Sequence, residues 1–145
     1  IEYRYMSIYE IAFLGIKKIE NQVNAAVSPE NAVISPGGSV IYCREAMEHY
    51  KKIGTVVYLK ASYQTIKKRI RNPKKRGVVL REGQSLRDLY DERVPYFEKY
   101  ADITVCEDGC RIEETIENVL NAVKKRRKKY RRRKKLDKGT SPKLK

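Results

Sequence analysis

This chain has little of what builds metal centres and disulfide frameworks. It has one histidine, His49, and three cysteines, Cys43, Cys106 and Cys110. Three thiols cannot all pair with one another, and no Cys-x-x-Cys spacing occurs, so neither a metal site nor a disulfide scaffold is indicated. The thiols are expected free, in a reducing cytoplasm, and His49 is expected as an exposed helix residue. No apolar run approaches the ~18 residues of a membrane span. No signal peptide opens the sequence. The first residue is Ile1, not Met, so the sequence is expected to start inside a longer coding frame.

Evenly spread charge is missing as well. The net charge is +15 over 145 residues, which at first suggests a nucleic-acid partner. However, residues 124–145 hold 14 Lys or Arg and one Asp, leaving a net of only +2 on the other 123. The body is nearly neutral and the basic character sits at one end. That end has no apolar stripe, and self-repulsion predicts disorder beyond its first helical turns. It is expected to act as a solubilising tail, or to make weak, non-specific contact with nucleic acid or anionic surfaces by counterion release. Only Tyr130 there could stack on a base, so no sequence readout is indicated.

The remainder is long enough for one domain with a real core. Helical patterning covers residues 5–27, with Ser7 and Glu10 at capping-box spacing and Ile16, Ile19, Val23 and Ala26 at helical intervals. Ser28-Pro29-Glu30 breaks it. Ala32–Ile34 is the first strand candidate. Arg44–Lys52 reads as a helix closed by Gly54. Thr55–Leu59 is β-branched and apolar without alternation, as in a strand buried on both faces of a parallel sheet. Ser62–Arg71 reads as a helix capped by Ser62 and stopped by Asn72-Pro73. Lys74–Gln84 reads as a mobile loop. Ser85–Ala101 is helical, with Pro95 expected to interrupt or kink it. Ile103–Val105 is a third strand and Ile112–Val123 an amphipathic helix. Strands alternating with helices imply an α/β fold, a parallel sheet with helices on both faces.

The most informative stretch is Ile34-Ser-Pro-Gly-Gly-Ser39. It lies between an apolar run and the next helix. Adjacent glycines there let a ligand approach the backbone, and a helix start offers N–H donors to anions.

Ala32-Val-Ile-Ser-Pro-Gly-Gly-Ser39, Gly54-Thr-Val-Val-Tyr-Leu59, the Arg69–Leu80 segment and Asp91–Val105 together resemble shikimate kinase in order and spacing. The resemblance runs from Ile1 to about Val123. It implies a P-loop kinase-like three-layer parallel sheet, a partial domain over 1–123 with a lid at about 72–84, and a basic tail at 124–145. The family's Walker A pattern, Gly-x-x-x-x-Gly-Lys-Ser/Thr, does not occur in this sequence, nor does the acidic pair that follows the family's second strand. The segment Ile1–Ile11 looks like what comes just after that pair. The first two family strands are therefore expected to be missing, and the chain alone is expected to be inactive and marginally folded.

By this resemblance Lys17 stands where the family's carboxylate-binding arginine does, keeping the charge but not the planar fork. Gly37, Gly38 and Ser39 stand at the triple glycine that contacts shikimate hydroxyls. Ser39 departs from that pattern, and its hydroxyl could serve as a donor or an N-cap. Arg93 matches the second carboxylate-binding arginine, although a helix-face pairing with Glu92 or Glu98 is open to it. Arg76 matches the lid arginine that approaches the phosphates during transfer, a catalytic and nucleotide-binding role. Arg69 matches an arginine near the adenine. Both also sit in a general basic run, where a solvated face is the alternative.

The resemblance implies a monomeric, cytoplasmic enzyme of aromatic amino acid (chorismate) biosynthesis. The full protein would move the γ-phosphoryl of ATP to the 3-hydroxyl of shikimate with Mg²⁺. Two alternatives stand beside it. One is another small P-loop kinase, for gluconate or a nucleoside monophosphate. The other is a non-catalytic product whose tail binds nucleic acid. No metal ligand is assigned within this chain.

Overall fold

The computed structural model describes residues 8–70, 78 and 80–139. In chain order the elements are α1 (Ile8–Ala26), a 3-10 helix (Gly38–Tyr42), α2 (Arg44–Ile53), β1 (Val57–Lys60), α3 (Tyr63–Arg69), α4 (Leu86–Tyr100), β2 (Ile103–Cys106) and α5 (Ile112–Gly139). β1 and β2 pair in parallel, Val57 opposite Ile103 and Lys60 opposite Cys106. The fold is mixed α/β with a parallel ladder, the class that the alternating pattern implies.

The chain divides into two compact units. One takes the chain up to Val56 together with Asp91–Tyr100; the other takes Val57–Tyr90 and the chain from Ala101 onward. α4 thus contributes its first turn to the second unit and the rest to the first.

The first unit is built on Val40, Ile41, Ala46, Met47, Tyr50 and Tyr100, with Tyr42, Cys43, Val56 and Phe97 packed against them. In α2 the spacing of Ala46, Met47 and Tyr50 puts all three on one helix face. Gly54 closes α2, its N–H bonding to the Tyr50 carbonyl at 2.9 Å, but its backbone is extended rather than left-handed. His49, expected in solvent, is half-buried instead, with Nε2 2.7 Å from the Val27 carbonyl oxygen. A carbonyl only accepts, so Nε2 carries the proton.

One expectation fails in this unit. Ala32–Ile34 forms no strand, and Val33 is 97% exposed. A strand exists only where a neighbour completes its hydrogen-bond ladder. Among the described residues the sheet is β1 and β2 alone, so these residues have no ladder to join. In α1, Ile19 and Val23 are exposed, whereas Glu20 and Asn24 are half-buried. Glu20 accepts from the Ser39 hydroxyl at 2.9 Å, and Asn24 accepts from the Tyr50 hydroxyl at 2.6 Å. Glu20 and Asn24 thus tie one face of α1 to its neighbours.

The second unit buries Ala61, Leu89 and Val105. Ser62 caps α3 as its sequence position predicts, its hydroxyl accepting from the Thr65 N–H. Asp108, after β2, reinforces that cap. Its carboxylate accepts from the Ser62 N–H at 3.0 Å, from the Ser62 hydroxyl and from the Thr65 hydroxyl. α4 is one continuous helix through Pro95, so of the two outcomes expected there, interruption or kink, the interruption does not occur. α5 packs on β2 through a half-buried edge that includes Thr115, Val119 and Val123, while Ile112, Ile116 and Leu120 stay exposed.

α5 does not stop where the apolar pattern stops. It continues through the basic run to Gly139, where disorder beyond the first turns is expected. Lys and Arg are good helix formers, and Glu113 and Glu114 in the first turn oppose the positive end of the helix dipole.

Candidate functional site

The site candidate lies in the first unit and centres on Tyr42. The glycine loop does not lead directly into an α-helix. It opens a five-residue 3-10 helix with Gly37 as its N-cap, and the Val40 N–H already bonds the Gly37 carbonyl at 3.1 Å. A 3-10 helix has three residues per turn, so Ser39 and Tyr42 lie one above the other. This geometry aims Tyr42 to the same side as the loop.

Three elements converge there. Lys17 from α1 places its Nζ 4.7 Å from the Tyr42 ring centroid. Arg93 from α4 places its guanidinium carbon 5.7 Å from the same centroid. Both distances are in the range of cation–π attraction. Glu92 accepts a 2.6 Å hydrogen bond from the Tyr42 hydroxyl. The Tyr96 ring meets that of Tyr42 edge-on, with centroids 5.5 Å apart. The Tyr42 ring is therefore held at its rim and its oxygen, with cations on its π system. Burial, followed by the Glu92 bond, pushes the Tyr42 hydroxyl above its ordinary pKa, against the pull of Arg93.

Both glycines sit where a Cβ would crowd a neighbouring side chain. A Cβ on Gly38 would lie 3.3 Å from Arg93 Nη1, and one on Gly37 would lie 3.1 Å from Glu20 Oε1. The bare Gly38 backbone lets the guanidinium come that close. Arg93 Nε is buried and has no hydrogen-bond partner among the described residues. An orphaned buried donor on a cation invites an acceptor. Ser39 is committed through its hydroxyl to Glu20, neither an N-cap nor a group pointing freely outward. Burial, with Glu20 nearby, raises the Cys43 thiol pKa. A recess of about 330 Å³ adjoins this cluster, lined by Lys17, Asn21, Tyr42 and Cys43 among others. Neither the glycines nor Arg93 line it, so it flanks the cation pair rather than containing it.

The structure therefore brings Lys17, Gly37, Gly38, Ser39 and Arg93 into one neighbourhood. Arg69, in the second unit, pairs with Glu107 at 2.5 Å, its own side chain half exposed. Arg76 lies outside the described residues, as does most of the 72–84 lid. The part described, residues 78 and 80–84, includes a turn with Gly83 at φ 74°. Sequence reasoning missed Tyr42 as the centre of the cluster. The signal was its position three residues after Ser39, but that means something only once a 3-10 helix is known.

A cation pair of this kind suits a carboxylate or another small anion. Among the described residues no three His, Cys, Asp or Glu side chains group to hold a metal ion, and the sequence has no Walker A pattern. Nor is any helix among the described residues long and apolar enough to cross a membrane.

Comparison with known proteins agrees with this picture. The family model for shikimate kinase matches residues 14–124. The shikimate kinase of Chlorobium chlorochromatii is 30% identical over 116 residues, covering 73% of this chain and 60% of the relative. That of Sulfurihydrogenibium sp. is 29% identical over 105 residues, covering 72% and 63%. Threonine synthase-like 1 of Macaca fascicularis is 37% identical over 100 residues, covering 68% of this chain but 14% of the relative. The chain thus spans less than two thirds of the length of each of these relatives. No solved structure matches it significantly. With a family match over most of its length, the chain belongs to the shikimate kinase family.

Proposed function

We propose that this chain forms the acceptor side of a shikimate kinase and binds the carboxylate and ring hydroxyls of shikimate. The observation that carries the reading is the position of Arg93, against the bare backbone of Gly38 and beside the Tyr42 ring. Arg93 binds the carboxylate, the only group of the cluster with a planar fork for two parallel hydrogen bonds. Lys17 adds charge without that geometry. Gly37, Gly38 and Ser39 present backbone groups to the hydroxyls. Arg76 on the lid closes over the transferring phosphoryl, and Arg69 lies on the adenine side. The partial domain covers 1–123, with the lid at about 72–84.

Phosphoryl transfer from ATP to the 3-hydroxyl also needs a phosphate-cradling loop and Mg²⁺. Catalysis is therefore proposed for a protein that joins this chain to a Walker A segment, a cytoplasmic monomer of chorismate biosynthesis. The chain by itself binds the acceptor and does not turn over.

Titration calorimetry with shikimate, gluconate and a nucleoside monophosphate tests this. Shikimate alone should give heat, and Arg93→Ala should weaken its binding roughly thirtyfold. Binding of gluconate or the nucleotide in preference to shikimate would move the chain to another small-molecule kinase of the same broad class.

A further inference from the structure

The basic half of α5 has no part in the acceptor site. From Lys124 to Lys134, ten of eleven residues are Lys or Arg and none is acidic. All eleven are exposed and all lie within the continuous helix. At its start the segment is fixed to the second unit. Arg126 bonds the Asp102 carboxylate at 3.0 Å and the Asp102 carbonyl at 3.3 Å. The one aromatic, Tyr130, carries Lys134 over its ring at 5.3 Å.

Like charges three and four residues apart repel one another along every face of this helix. A dense polyanion relieves that repulsion. Charge on all sides also selects among polyanions. A helix that lies on a membrane needs an apolar face opposite its basic one, and the only large carbon surface between Lys124 and Lys134 is Tyr130. A duplex groove needs no such face. A helix with its side chains is about 10–12 Å across, close to the ~12 Å width of the DNA major groove. Phosphates flank it on both sides there, so cations on opposite helix faces are used together. The stretch has no Asn or Gln to read adenine edges, and its unbroken run of Lys and Arg suits the evenly spaced phosphates.

We infer that Lys124–Lys134 is a helical binding element for duplex DNA, gripping phosphates across a groove without reading sequence. The inference is independent of the acceptor-site reading.

The test uses the full chain and a fluorescent 20-base-pair DNA of arbitrary sequence, read by anisotropy from 50 to 200 mM salt. Vesicles containing phosphatidylserine serve as the competing anionic surface. If about five phosphates are engaged, log affinity should fall with log salt at a slope of about −4.5, roughly a 500-fold loss over that range. Replacing Arg131, Arg132 and Arg133 with Gln keeps good helix formers and should flatten the slope by about 2. Tyr130→Pro keeps every charge but breaks the helix, and should weaken duplex binding at least tenfold. Failure to bind duplex at 50 mM salt overturns the inference, as does binding to vesicles in its place. Unchanged affinity in the proline variant, with the helical circular dichroism signal reduced, would show that charge alone suffices and overturn the helical element.

Discussion

The Tyr42 hydroxyl donates a 2.6 Å hydrogen bond to Glu92, across fifty residues of chain. The bond ties the 3-10 helix that follows the glycine loop to the helix that carries Arg93. Tyr42→Phe should remove it and leave the Glu92 carboxylate, half-buried, without that donor. A hydrogen bond to a charged group contributes about 1.5–3 kcal/mol. Partial exposure puts the expected loss near the lower figure. Urea unfolding of the first unit, followed by the fluorescence of its tyrosines, measures it.

Arg93→Lys and Arg93→Ala separate charge from geometry. Loss of the guanidinium in the alanine variant should cost about 2 kcal/mol of shikimate binding, roughly thirtyfold in Kd. The lysine variant should recover only part of this, because an ammonium cannot form the fork. Full recovery by lysine in calorimetry would mean that the arginine acts only as a charge.

Gly38→Ala tests the close approach directly. The new Cβ, 3.3 Å from Arg93 Nη1, would push the guanidinium aside by a few tenths of an ångström. A side chain forced off its rotamer costs about 1 kcal/mol. Shikimate affinity should fall roughly fivefold, and the denaturation midpoint should change little.

Acid should loosen α3 before the rest of the second unit. Hydrogen bonds from Thr65 and the Ser62 backbone hold the Asp108 carboxylate below its ordinary pKa. A carboxylate lowered on folding stabilises the fold fully above its unfolded pKa of about 3.9. That stability is lost as pH falls from there through the lower folded value. Native-state hydrogen exchange of the α3 amides at pH 5 and pH 3 should show protection dropping. In Asp108→Asn the drop should be absent, because protection is already low at pH 5.

The isolated chain should unfold with low cooperativity. A two-stranded sheet is marginal without further support, and the buried apolar residues described in the second unit are only Ala61, Leu89 and Val105. Calorimetry should give a broad transition whose enthalpy falls short of about 0.7 kcal/mol per residue. Met47→Ala, costing about 3 kcal/mol in the core of the first unit, should abolish what transition there is. A sharp melt of full enthalpy in the unsubstituted chain would refute the expected marginal folding.

Local chemistry settled much of this protein in advance. Val57–Lys60 and Ile103–Cys106 are strands because their β-branched residues fit a pleated ladder. α2 and α3 begin and end close to where Gly54 and Ser62 predict, since caps and breakers act over one turn. The four segments that resemble the family lie in one order along the chain, and the family match spans all of them. Tertiary structure decided what sequence periodicity leaves open. Ala32–Ile34 has strand chemistry but no ladder to join, because pairing belongs to the neighbour as much as to the segment. α1 has an apolar stripe, yet hydrogen bonds from Ser39 and Tyr50 engage its Glu20 and Asn24. Lys17 and Arg93 are seventy-six residues apart, and only the folded first unit sets both on the ring of Tyr42. A side chain's neighbours across such a distance are fixed by the packing of whole helices, which no local pattern encodes.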